Sequence, residues 1–571
     1  QRSTLFPYTT LFRSVGKIDE LEKALGQMPD GNLCIGHTRW ATHGGVTQEN
    51  AHPHLSCDGK ISLVHNGIVE NWRELRSGLD DHNFLSETDT EVLVHLIEKN
   101  YHGDLRLAVA EALRQVRGTY GIAVVHADHP DELVTARFGS PIVIGVAQEE
   151  YFVASDATPL LPYTNQVVFL NDGELVLLKR KGMEMTTLGL DHLKIETQNL
   201  DWSLSQAEKN GHEHFMKKEI FEEPEALMNA ISGRIDLKNG TARLGGLNLS
   251  ESEMRQIRRV IFIGCGTALY AARVGKYAFE RLAQIPTEVE IASEFRYMDP
   301  IIDEHTLVFA LSQSGETADT LAAMREAKRR GAIVRGIVNT IGSTIAREAG
   351  GGTYIHAGPE LAVASTKAFI NMAAVAVLYA LMFGRNRSLS MATGVRVVTA
   401  LMELPEKIKK ILAESEHIQS VADKYAHYHN MYFLGRGVNY ATALEASLKL
   451  KEVSYIHSEA YPGGEMKHGP IALLSTDFPV FAIATRNQLF DKTVSNIAEA
   501  RARKAPIIAL VSEDEKDFTA ADDVIFVPRT MELFEPILNT VATQLFAYYV
   551  AVKLGRDVDR PRNLAKSVTV E

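Results

Sequence analysis

The chain has 571 residues, 45% of them hydrophobic and 23% charged, with a formal net charge of -12. This length predicts several domains, by the rough prior of ~150 residues for each. The acidic balance and the lack of a long basic run exclude a typical nucleic-acid-binding protein, and no apolar run reaches the ~18 residues of a membrane span. Three cysteines (Cys34, Cys57 and Cys265) favour a reducing, cytoplasmic setting over a disulfide framework. No metal site is indicated, because His52 and His54 have no cysteine or acidic partner at a metal-ligand spacing.

The segment 1–14 does not resemble the rest of the chain. It contains the near-repeat Thr4-Leu5-Phe6 and Thr10-Leu11-Phe12 but has neither a helical nor a strand period. It also lacks the charged start, the apolar core and the small-residue cleavage site of a signal peptide. We expect residues 1–14 to be foreign to the fold, and a variable, disordered terminus is the alternative.

The part from residue 15 to about residue 181 is rich in short apolar strands broken by Gly, Asn and Asp turns. Examples of these strands are residues 61–64, 121–125 and 166–170, and helices are expected near residues 91–100 and 104–116. This pattern predicts an α+β layer structure whose strands are largely antiparallel.

Further along the chain, strands and helices alternate, which is typical of a parallel, doubly wound sheet. A helix at residues 216–230 is expected before this region begins. Two stretches have the same pattern of an apolar strand, a Gly-x-Gly turn and a helix. In the first stretch these are residues 260–263, 264–266 and 268–282, and in the second they are residues 431–434, 435–437 and 440–456. We interpret them as two copies of one α/β domain. Neither copy has the third glycine of Gly-x-Gly-x-x-Gly, so a nicotinamide site is rejected.

A Ser/Gly-rich turn follows the apolar run at residues 307–310 and precedes a helix expected at residues 318–330. It consists of Ser312, Gln313, Ser314, Gly315, Glu316 and Thr317. Backbone N–H groups at a helix start carry partial positive charge, and the hydroxyls add neutral donors, so the turn predicts a phosphate pocket. It lacks the lysine of a nucleotide P-loop and therefore suits a sugar phosphate. A surface turn with capping serines is the alternative.

Charged residues with possible chemistry lie in the second copy. Glu445, Lys449 and Glu452 are spaced so that they share one face of the expected helix. His468 lies in a Gly/Pro-rich loop, where binding groups tend to occur. A solvated salt bridge between Lys449 and Glu452 and a structural loop histidine are the alternatives.

The last sixteen residues, 556–571, begin without any helical or strand period. Composition alone predicts that such a tail frays in solvent. Lys566 becomes interesting if the tail docks into the sugar-phosphate site, because a lysine there can form a Schiff base with an open-chain ketose.

The N-terminal part offers a second set of binding groups. Arg39 can hold a carboxylate with two hydrogen bonds, and Trp40 can form a wall of a small pocket together with the backbone of Thr42 and His43. Asn66 and Gly67 supply the side-chain amide and backbone N–H of an oxyanion hole. Asp89, in a segment that resembles a capping box, can take an ammonium group. Each of these groups could also be purely structural.

Taken together, these segments closely resemble one family, the glutamine–fructose-6-phosphate aminotransferases, also called glucosamine-6-phosphate synthases. The resemblance covers essentially the whole chain from residue 15. Segments 37–44, 50–54, 65–67 and 86–91 resemble the glutaminase half, and segments 312–317, 363–367, 449–452, 465–470 and 557–571 resemble the isomerase half. The last of these segments is highly specific for the family.

The resemblance implies an α+β N-terminal-nucleophile hydrolase sandwich, truncated at its N-terminus, followed by two α/β doubly wound sugar-isomerase (SIS) domains. The resemblance divides the chain into an unmatched leader at residues 1–14, a partial glutaminase domain at residues 15–205 and a linker with a connecting helix at residues 206–245. The first SIS domain follows at residues 246–390, the second SIS domain at residues 419–555 and a catalytic tail at residues 556–571. The implied partners are fructose 6-phosphate, glutamine and a second copy of the chain in a homodimer. No cofactor, metal, nucleic acid or membrane is implied.

In the glutaminase half, the resemblance implies that glutamine is held by Arg39, Thr42, His43, Asn66, Gly67 and Asp89. Among these, Arg39 and Asp89 clamp its carboxylate and amine, and Asn66 and Gly67 form the oxyanion hole. Trp40 is the implied gate of an ammonia path.

In the isomerase half, the resemblance assigns the phosphate and sugar contacts to Thr267, Ser312, Gln313, Ser314, Thr317, Val363 and Ser365. His468 assists ring opening, and Lys566 forms an imine at C2. Glu452 moves the proton between C1 and C2, with Lys449 as its charge partner, because a base there must reach both carbons.

Two departures from the family pattern matter. The family nucleophile is a cysteine at the mature N-terminus, whereas this chain begins with Gln1, and neither Cys34 nor Cys57 is in a matching position. We therefore expect the chain as written to lack glutaminase activity and an inner strand of its sandwich, which would expose a sheet edge. Ala268 also stands where the family has a serine. The alternatives to the full aminotransferase are an ammonia-dependent synthase or phosphosugar isomerase with an inactive glutaminase half, and a non-enzymatic sugar-phosphate sensor.

Overall fold

A computed structural model of the chain describes residues 3–6, 9–16, 18–26, 31–39, 43–200 and 208–569. It divides into two compact units, Gln1–Leu204 with Val568–Glu571, and Ser205–Ser567. We name them the N-terminal unit and the C-terminal unit. The main sheets of the N-terminal unit are antiparallel, and those of the C-terminal unit are parallel.

The N-terminal unit combines short strands with four helices among its described residues. Its strands are β1 (Ser3–Phe6), β2 (Thr9–Leu11), β3 (His54–Leu55), β4 (Ile61–Val69), β5 (Gly118–His126), β6 (His129–Phe138), β7 (Val143–Val146), β8 (Tyr151–Ala154), β9 (Gln166–Phe169), β10 (Glu174–Lys179), β11 (Gly182–Thr187) and β12 (Gln198–Asn199). Its helices are α1 (Ile18–Leu25), α2 (Trp72–Arg76), α3 (Asp89–Asn100) and α4 (Leu105–Leu113), with a short 3-10 helix at Thr158–Leu160.

Two antiparallel sheets form the body of this unit, in the strand orders β11-β10-β6-β5-β4-β3 and β12-β9-β7-β8. Side chains alternate between the two faces of a strand. Ile61 and Leu63 of β4 accordingly pack in the core that contains α3 and α4, whereas Val64 packs in the core that contains β7 and β9. The six-stranded sheet therefore lies between a helical layer and the four-stranded sheet.

The segment 1–14 contains structure that the sequence did not indicate. β1 pairs with β2 in an antiparallel hairpin, with Ser3 opposite Leu11. The guanidinium of Arg13 donates to the carbonyl of Pro53 at 3.1 Å. This hairpin forms although the segment has no strand period, and its Thr and Phe residues have good strand propensity.

The C-terminal unit alternates strands and helices for most of its length. Its strands are β13 (Ile235–Asp236), β14 (Thr241–Ala242), β15 (Arg259–Gly264), β16 (Thr287–Ile291), β17 (Thr306–Ser312), β18 (Ile333–Val338), β19 (Gly352–Tyr354), β20 (Asn430–Gly435), β21 (His457–Pro462), β22 (Val480–Ala484), β23 (Ile507–Ser512) and β24 (Asp523–Val527). Its first helices are α5 (Phe215–Phe221), α6 (Glu223–Ile231), α7 (Glu251–Gln256), α8 (Gly266–Ala278), α9 (Ala292–Phe295), α10 (Ala318–Arg329), α11 (Thr344–Glu348) and α12 (Lys367–Arg385).

The remaining helices are α13 (Met391–Met402), α14 (Leu404–Ala413), α15 (Ser415–Tyr425), α16 (Asn439–Ser454), α17 (Phe490–Arg501) and α18 (Glu535–Lys553). A π-helix follows α8 at Phe279–Ala283, and 3-10 helices lie at Gly245–Leu247, Glu465–His468, Pro470–Leu473 and Glu532–Phe534. The strands form two five-stranded parallel sheets in the orders β16-β15-β17-β18-β19 and β21-β20-β22-β23-β24. Every residue of β17 and of β23 is buried, as expected when helices cover both faces of a parallel sheet.

Three helices of this unit, α5, α6 and α12, bear on the expectations from the sequence. The single helix expected at residues 216–230 is two helices, α5 and α6, because Pro224 lies in the first turn of α6, where its missing N–H is tolerated. By length and hydropathy α12 could cross a membrane, but 94% of its most apolar window is buried inside the protein. It is therefore a core helix.

Candidate functional site

A short loop joins the third strand of the first parallel sheet to the helix that follows. β17 ends at Ser312, and α10 begins directly after Thr317. Ser312 Oγ lies 3.0 Å from Thr317 Oγ1 and 3.5 Å from Ser314 Oγ. The N–H groups of Gly315 and Glu316 donate to Ser312 Oγ and Ser314 Oγ, at 3.0 and 3.1 Å. Three hydroxyls thus meet at a helix start, where the helix dipole favours an anion.

Interactions beneath this loop fix its shape. Gly315 has a φ of +67°, and a Cβ there would lie 2.0 Å from Ser343 Oγ. The Glu316 carboxylate accepts hydrogen bonds from the N–H and the hydroxyl of Thr344, both at 2.8 Å. The carbonyl of Gln313 accepts an N–H just after β18 at 3.1 Å. The loop is therefore held in place before any ligand arrives.

A buried ion cluster occupies one face of α16. Lys449 Nζ lies 2.6 Å from Glu452 Oε2 and 3.5 Å from Glu445 Oε1. Thr267 of α8 donates to Glu445 at 3.1 Å and accepts from Lys449 at 3.1 Å. The side chains of Lys449 and Glu445 are 1% and 0% exposed, whereas that of Glu452 is 20% exposed. The pair is not a solvated salt bridge, and Glu452 is its accessible member.

The electrostatics of the cluster follow from its burial. Burial raises the pKa of Glu445 to about 7, and Lys449 opposes this shift. Burial alone would lower the pKa of Lys449, but Glu452 and Glu445 together raise it above its usual value. Lys449 therefore stays cationic, and it holds the Glu452 carboxylate in a fixed position.

The C-terminal tail is docked in the C-terminal unit, contrary to its expected fraying. The Val558 side chain is fully buried. The Asp559 carboxylate accepts the N–H groups of Phe215 and Met216 at the start of α5, both at 2.9 Å. Its carbonyl accepts the N–H of Val363 at 3.0 Å. A capping carboxylate of this kind offsets the unpaired donors of a helix start and anchors the tail.

This anchored tail places Lys566 against a buried acid. Lys566 Nζ lies 2.7 Å from Glu360 Oε2 and donates to the carbonyl of Ala362 at 2.8 Å. The same carboxylate accepts from the hydroxyl of Ser365 at 2.9 Å and from the N–H of Thr366 at 2.8 Å. The side chain of Glu360 is 0% exposed and that of Lys566 is 23% exposed, so the amine is open to a ligand.

Charge couples this lysine site to its neighbours. Burial would raise the pKa of Glu360, but Lys566 lowers it to about 2. Burial and the negative charge of Glu360 raise the pKa of Glu219 to about 8. Glu360 also contributes to the raised pKa of Lys449. Glu360 is therefore coupled electrostatically to both the tail lysine and Lys449 of the α16 cluster.

Two further predicted site residues have surroundings of their own. Thr267 is engaged with Glu445 and Lys449, as described above, and Ala268 beside it is buried. His468 is exposed at the end of the 3-10 helix Glu465–His468 and belongs to none of these clusters.

In the N-terminal unit, a cation and an anion lie near each other. The Arg39 guanidinium donates to the carbonyl of Gly45 at 2.8 Å and to that of His43. Asp89, at the start of α3, accepts the N–H of Val69 at 2.7 Å and lies 3.8 Å from His43 Nδ1. Burial lowers the pKa of Arg39, and the negative charge of Asp89 partly offsets that shift. Such a pair suits the carboxylate and ammonium of an amino acid.

Asn66 and Gly67 lie on β4 beside this pair. Asn66 Oδ1 is 2.7 Å from His37 Nε2, which fixes the orientation of the amide. Gly67 has a φ of +143°, and a Cβ there would lie 2.1 Å from the carbonyl of Thr119. A cavity of about 920 Å³ opens between the two sheets of this unit, and Asn66 lines it.

Sequence reasoning missed a cluster of histidines behind Asn66. His37 and His52 stack with ring centroids 4.1 Å apart, and His54 lies 4.9 Å from His52. His52 Nδ1 also accepts the N–H of His65 at 3.3 Å. Burial lowers the pKa of His37 to about 4 and that of His54 to about 3, so these rings are neutral. The pair His52 and His54 was the one visible sign of the cluster. Trp40 and Thr42, the predicted ammonia gate and one of the glutamine contacts, lie outside the described residues.

Comparison with known proteins relates both units to one enzyme family. A glutamine amidotransferase domain model matches residues 23–186, and a SIS domain model matches residues 253–382 and 424–554. The glutamine–fructose-6-phosphate aminotransferase (isomerizing) of Thermus thermophilus is 51% identical over 97% of this chain and 92% of its own length. That of Symbiobacterium thermophilum is 47% identical over the same shares. The chain belongs to the glutamine–fructose-6-phosphate aminotransferase family.

A solved structure extends the match to the fold. The C-terminal domain of glucosamine-fructose-6-phosphate aminotransferase from Francisella tularensis is 34% identical, covers 62% of this chain and 100% of its own, and has a TM-score of 0.59. The predicted fold class, a glutamine amidotransferase domain before two doubly wound SIS domains, is confirmed. As a member of the aminotransferase family, the chain is an enzyme, which rejects the sensor alternative.

Proposed function

We propose that this enzyme converts fructose 6-phosphate and glutamine into glucosamine 6-phosphate and glutamate. The observation that carries the proposal is the docked tail, which holds Lys566 against the buried Glu360 carboxylate at 2.7 Å. The same unit contains a neutral hydroxyl loop and a buried lysine–glutamate pair. A sensor of sugar phosphates would need the loop but neither the amine nor the pair.

The loop formed by Ser312, Gln313, Ser314 and Thr317 binds the phosphate in this proposal. Its neutral donors and helix dipole can hold the phosphate dianion without a lysine. No second amine therefore competes with Lys566 for the carbonyl of the sugar. Val363 and Ser365, which pack against the tail and Glu360, contact the sugar. Thr267, whose hydroxyl also bonds Glu445 and Lys449, completes the sugar-phosphate contacts.

Lys566 attacks the C2 carbonyl of the open-chain ketose, and loss of water gives an imine. Its ammonium first gives a proton to solvent, which the 23% exposure of the side chain allows. Glu360, whose pKa of about 2 keeps it ionised, positions the amine and stabilises the cationic imine. His468, on its exposed loop, assists the opening of the sugar ring.

Glu452 then moves a proton between two carbons. Ammonia displaces Lys566 from C2, and the Glu452 carboxylate removes a proton from C1 and returns one to C2, as O1 loses its own proton and becomes the aldehyde oxygen. The 20% exposure of Glu452 leaves it open to substrate. Lys449 holds the carboxylate in place, which a base needs if it is to reach both carbons.

The N-terminal unit supplies the ammonia in this proposal. Arg39 and Asp89 hold the carboxylate and amine of glutamine, with His43 beside Asp89 and Thr42 completing the pocket. Asn66 and the N–H of Gly67 stabilise the oxyanion, and Trp40 gates the path of ammonia. In the family, the group that attacks the glutamine amide is a cysteine at the mature N-terminus. None of Cys34, Cys57 and Cys265 matches that position, so glutamine-dependent ammonia release requires a nucleophile that is not assigned to any of these three.

We further infer that the enzyme is a cytoplasmic homodimer that binds neither nucleic acid nor a membrane. The acidic net charge of -12 supports the last two points, and the family resemblance supports the dimer. Light scattering of the purified protein, compared with the 63.1 kDa mass of one chain, tests the dimer directly.

The reaction is tested by supplying the full-length protein with fructose 6-phosphate and either glutamine or an ammonium salt. Formation of glucosamine 6-phosphate from both nitrogen donors supports the proposal and contradicts the expected lack of glutaminase activity. Product from ammonium alone would support the ammonia-dependent synthase instead. No product from either donor, with the protein folded, would overturn both functions.

A further inference from the structure

Four side chains outside both candidate sites converge on one point of the N-terminal unit. Cys57 follows β3, His82 lies between α2 and α3, and His95 and Glu98 are on α3. One ligand atom from each lies within 4.8 Å of all the others. We propose that Cys57, His82, His95 and Glu98 form a zinc site that braces α3.

Four of the six distances between the ligand atoms are close to those around a small tetrahedral ion. Zinc holds nitrogen and oxygen ligands at ~2.0–2.1 Å and sulfur ligands at ~2.3 Å. In a tetrahedron, a nitrogen and an oxygen ligand are then about 3.3 Å apart, and a sulfur and a nitrogen ligand are about 3.6 Å apart. Cys57 Sγ is 3.5 Å from His82 Nδ1 and 3.6 Å from His95 Nδ1. Glu98 Oε2 is 3.0 Å from His82 Nδ1 and 3.1 Å from His95 Nδ1. The two sulfur–nitrogen distances agree with the expected value, and the two oxygen–nitrogen distances are slightly shorter than the expected value.

The donor set indicates which class of metal the site would take. A thiolate, two imidazoles and one carboxylate are the ligands that zinc prefers, whereas Mg²⁺ and Ca²⁺ favour oxygen alone. His95 and Glu98 are three residues apart on one helix, a spacing that places both on the same face. Four ligands fill a tetrahedron, so the site is closed and structural rather than catalytic.

Surrounding groups hold these ligands in place. The N–H of Cys57 donates to Glu98 Oε2 at 2.9 Å, and the N–H of Asp58 donates to Glu98 Oε1 at 3.3 Å. His95 Nε2, the ring nitrogen not facing the site, lies 3.8 Å from Glu91 Oε1. A carboxylate behind a metal-bound histidine is a common orienting arrangement. Cys57 is exposed, so an ion has an entry path.

The ion would join three segments that are distant in sequence. It ties the turn after β3 and the segment before α3 to the middle of α3, whose first residue is Asp89. Because zinc binds the folded site and not the dispersed ligands of the unfolded chain, it stabilises the unit by mass action. The proposal concerns folding stability and does not depend on the proposed reaction.

Cobalt provides the most direct test, because thiolate-bound tetrahedral Co²⁺ has a strong near-ultraviolet charge-transfer band and intense visible bands. The full-length protein is stripped with a chelator, titrated with Co²⁺ under reducing conditions and then with Zn²⁺, which should bleach the spectrum. We expect saturation at one ion per chain and a higher thermal midpoint with Zn²⁺. The same titration of Cys57→Ser should lack the charge-transfer band, and that of His82→Ala should lose tight binding.

Matched controls come from the same unit. Cys34→Ser changes another exposed cysteine, and His102→Ala changes an exposed histidine, so both should keep one cobalt ion and its spectrum. Circular dichroism and ammonia-dependent product formation show whether each variant is folded. Absence of saturable cobalt binding to the wild type would overturn the proposal, as would a charge-transfer band that persists in Cys57→Ser or disappears in Cys34→Ser.

Discussion

The two SIS domains share one topology but differ where chemistry takes place. Their sheets have corresponding strand orders, and each domain is closed by a buried helix of 19 residues, α12 in the first and α18 in the second. The loops after the third strands are therefore equivalent, as are the helices that follow the first strands. These two positions show how the duplicated fold has diverged.

The loop after the third strand is open to a ligand anion in the first domain, whereas in the second domain it holds a carboxylate of the protein itself. After β22, a single oxygen of the Glu535 carboxylate accepts from Thr485 at 2.8 Å, Asn487 at 2.7 Å and Asn439 at 2.6 Å. Burial raises the pKa of Glu535, and these donors oppose the shift. The second domain therefore satisfies internally the kind of site that the first domain offers through Ser312 and Ser314.

In the helix after the first strand, the second domain carries the charged groups and the first domain does not. Counted from the second glycine of each Gly-x-Gly turn, the positions of Glu445 and Lys449 on α16 are occupied on α8 by Val274 and Ala278, which are fully buried. The first domain thus has an apolar helix where the second has ions. Under the proposed function, phosphate binding and proton transfer are therefore divided between two copies of one fold.

Glu452→Gln should have the largest effect on this division. It removes the proposed proton carrier, so kcat should fall by about 10²- to 10⁴-fold, while KM for fructose 6-phosphate stays nearly constant because the phosphate loop is intact. Initial rates of ammonia-dependent glucosamine 6-phosphate formation measure both constants. Arg281→Gln, at the equivalent position of the first domain, is the control and should remain near wild type, since that side chain is 57% exposed. A normal kcat for Glu452→Gln would remove this residue from the reaction.

Glu445→Gln should change how stability depends on pH. The folded pKa of Glu445 is raised to about 7, so its contribution is fully present below the usual carboxyl pKa of ~4.3 and is lost as the pH rises through about 7. The loss is at most about 4 kcal/mol. The thermal midpoint of the wild type should therefore fall relative to Glu445→Gln between pH ~5 and ~8. Parallel curves for the two proteins would contradict the assigned shift.

Ser314→Ala and Thr485→Ala test the two equivalent loops against each other. In the first loop, loss of a donor to the phosphate should raise KM for fructose 6-phosphate by about 10- to 100-fold, since hydrogen bonds to charged groups contribute ~1.5–3 kcal/mol. In the second, Thr485→Ala should leave KM unchanged but lower the thermal midpoint, because Glu535 loses one of its buried donors. Steady-state kinetics and calorimetry separate the outcomes, and an equal rise of KM in both variants would refute the division of roles.

Hydrophobic periodicity was sufficient to predict the fold class. Short apolar strands broken by Gly, Asn and Asp turns indicated the antiparallel sheets, and the alternation of strand and helix indicated the parallel ones. It failed at residues 216–230, where Pro224 is compatible with either a bend or the start of a second helix. Packing against the rest of the chain decides between them, and that information is not local.

The residues of the candidate site likewise divide into those that local sequence places together and those that only the folded chain brings together. Groups that are close in sequence, such as Ser312 with Thr317 and Lys449 with Glu452, could be placed together from spacing alone. The pairing of Lys566 with Glu360 spans 206 residues, and no local pattern indicates that the tail docks. The zinc ligands were missed for the same reason, because Cys57 and His82 meet α3 only in the folded unit.

Gly315→Ala should have the smallest effect and tests whether the open loop is preformed. Alanine at a φ of +67° is strained, and its Cβ would lie 2.0 Å from Ser343 Oγ, so we expect a loss of about 1–3 kcal/mol in stability and a raised KM for fructose 6-phosphate. Gly331→Ala is the matched control, because Gly331 has a φ of +95° and nothing within 4 Å of the new Cβ. The difference in thermal midpoint between the two variants isolates the contact with Ser343. If both variants lose the same stability and neither changes KM, the loop adjusts freely and its geometry is not what distinguishes the first domain from the second.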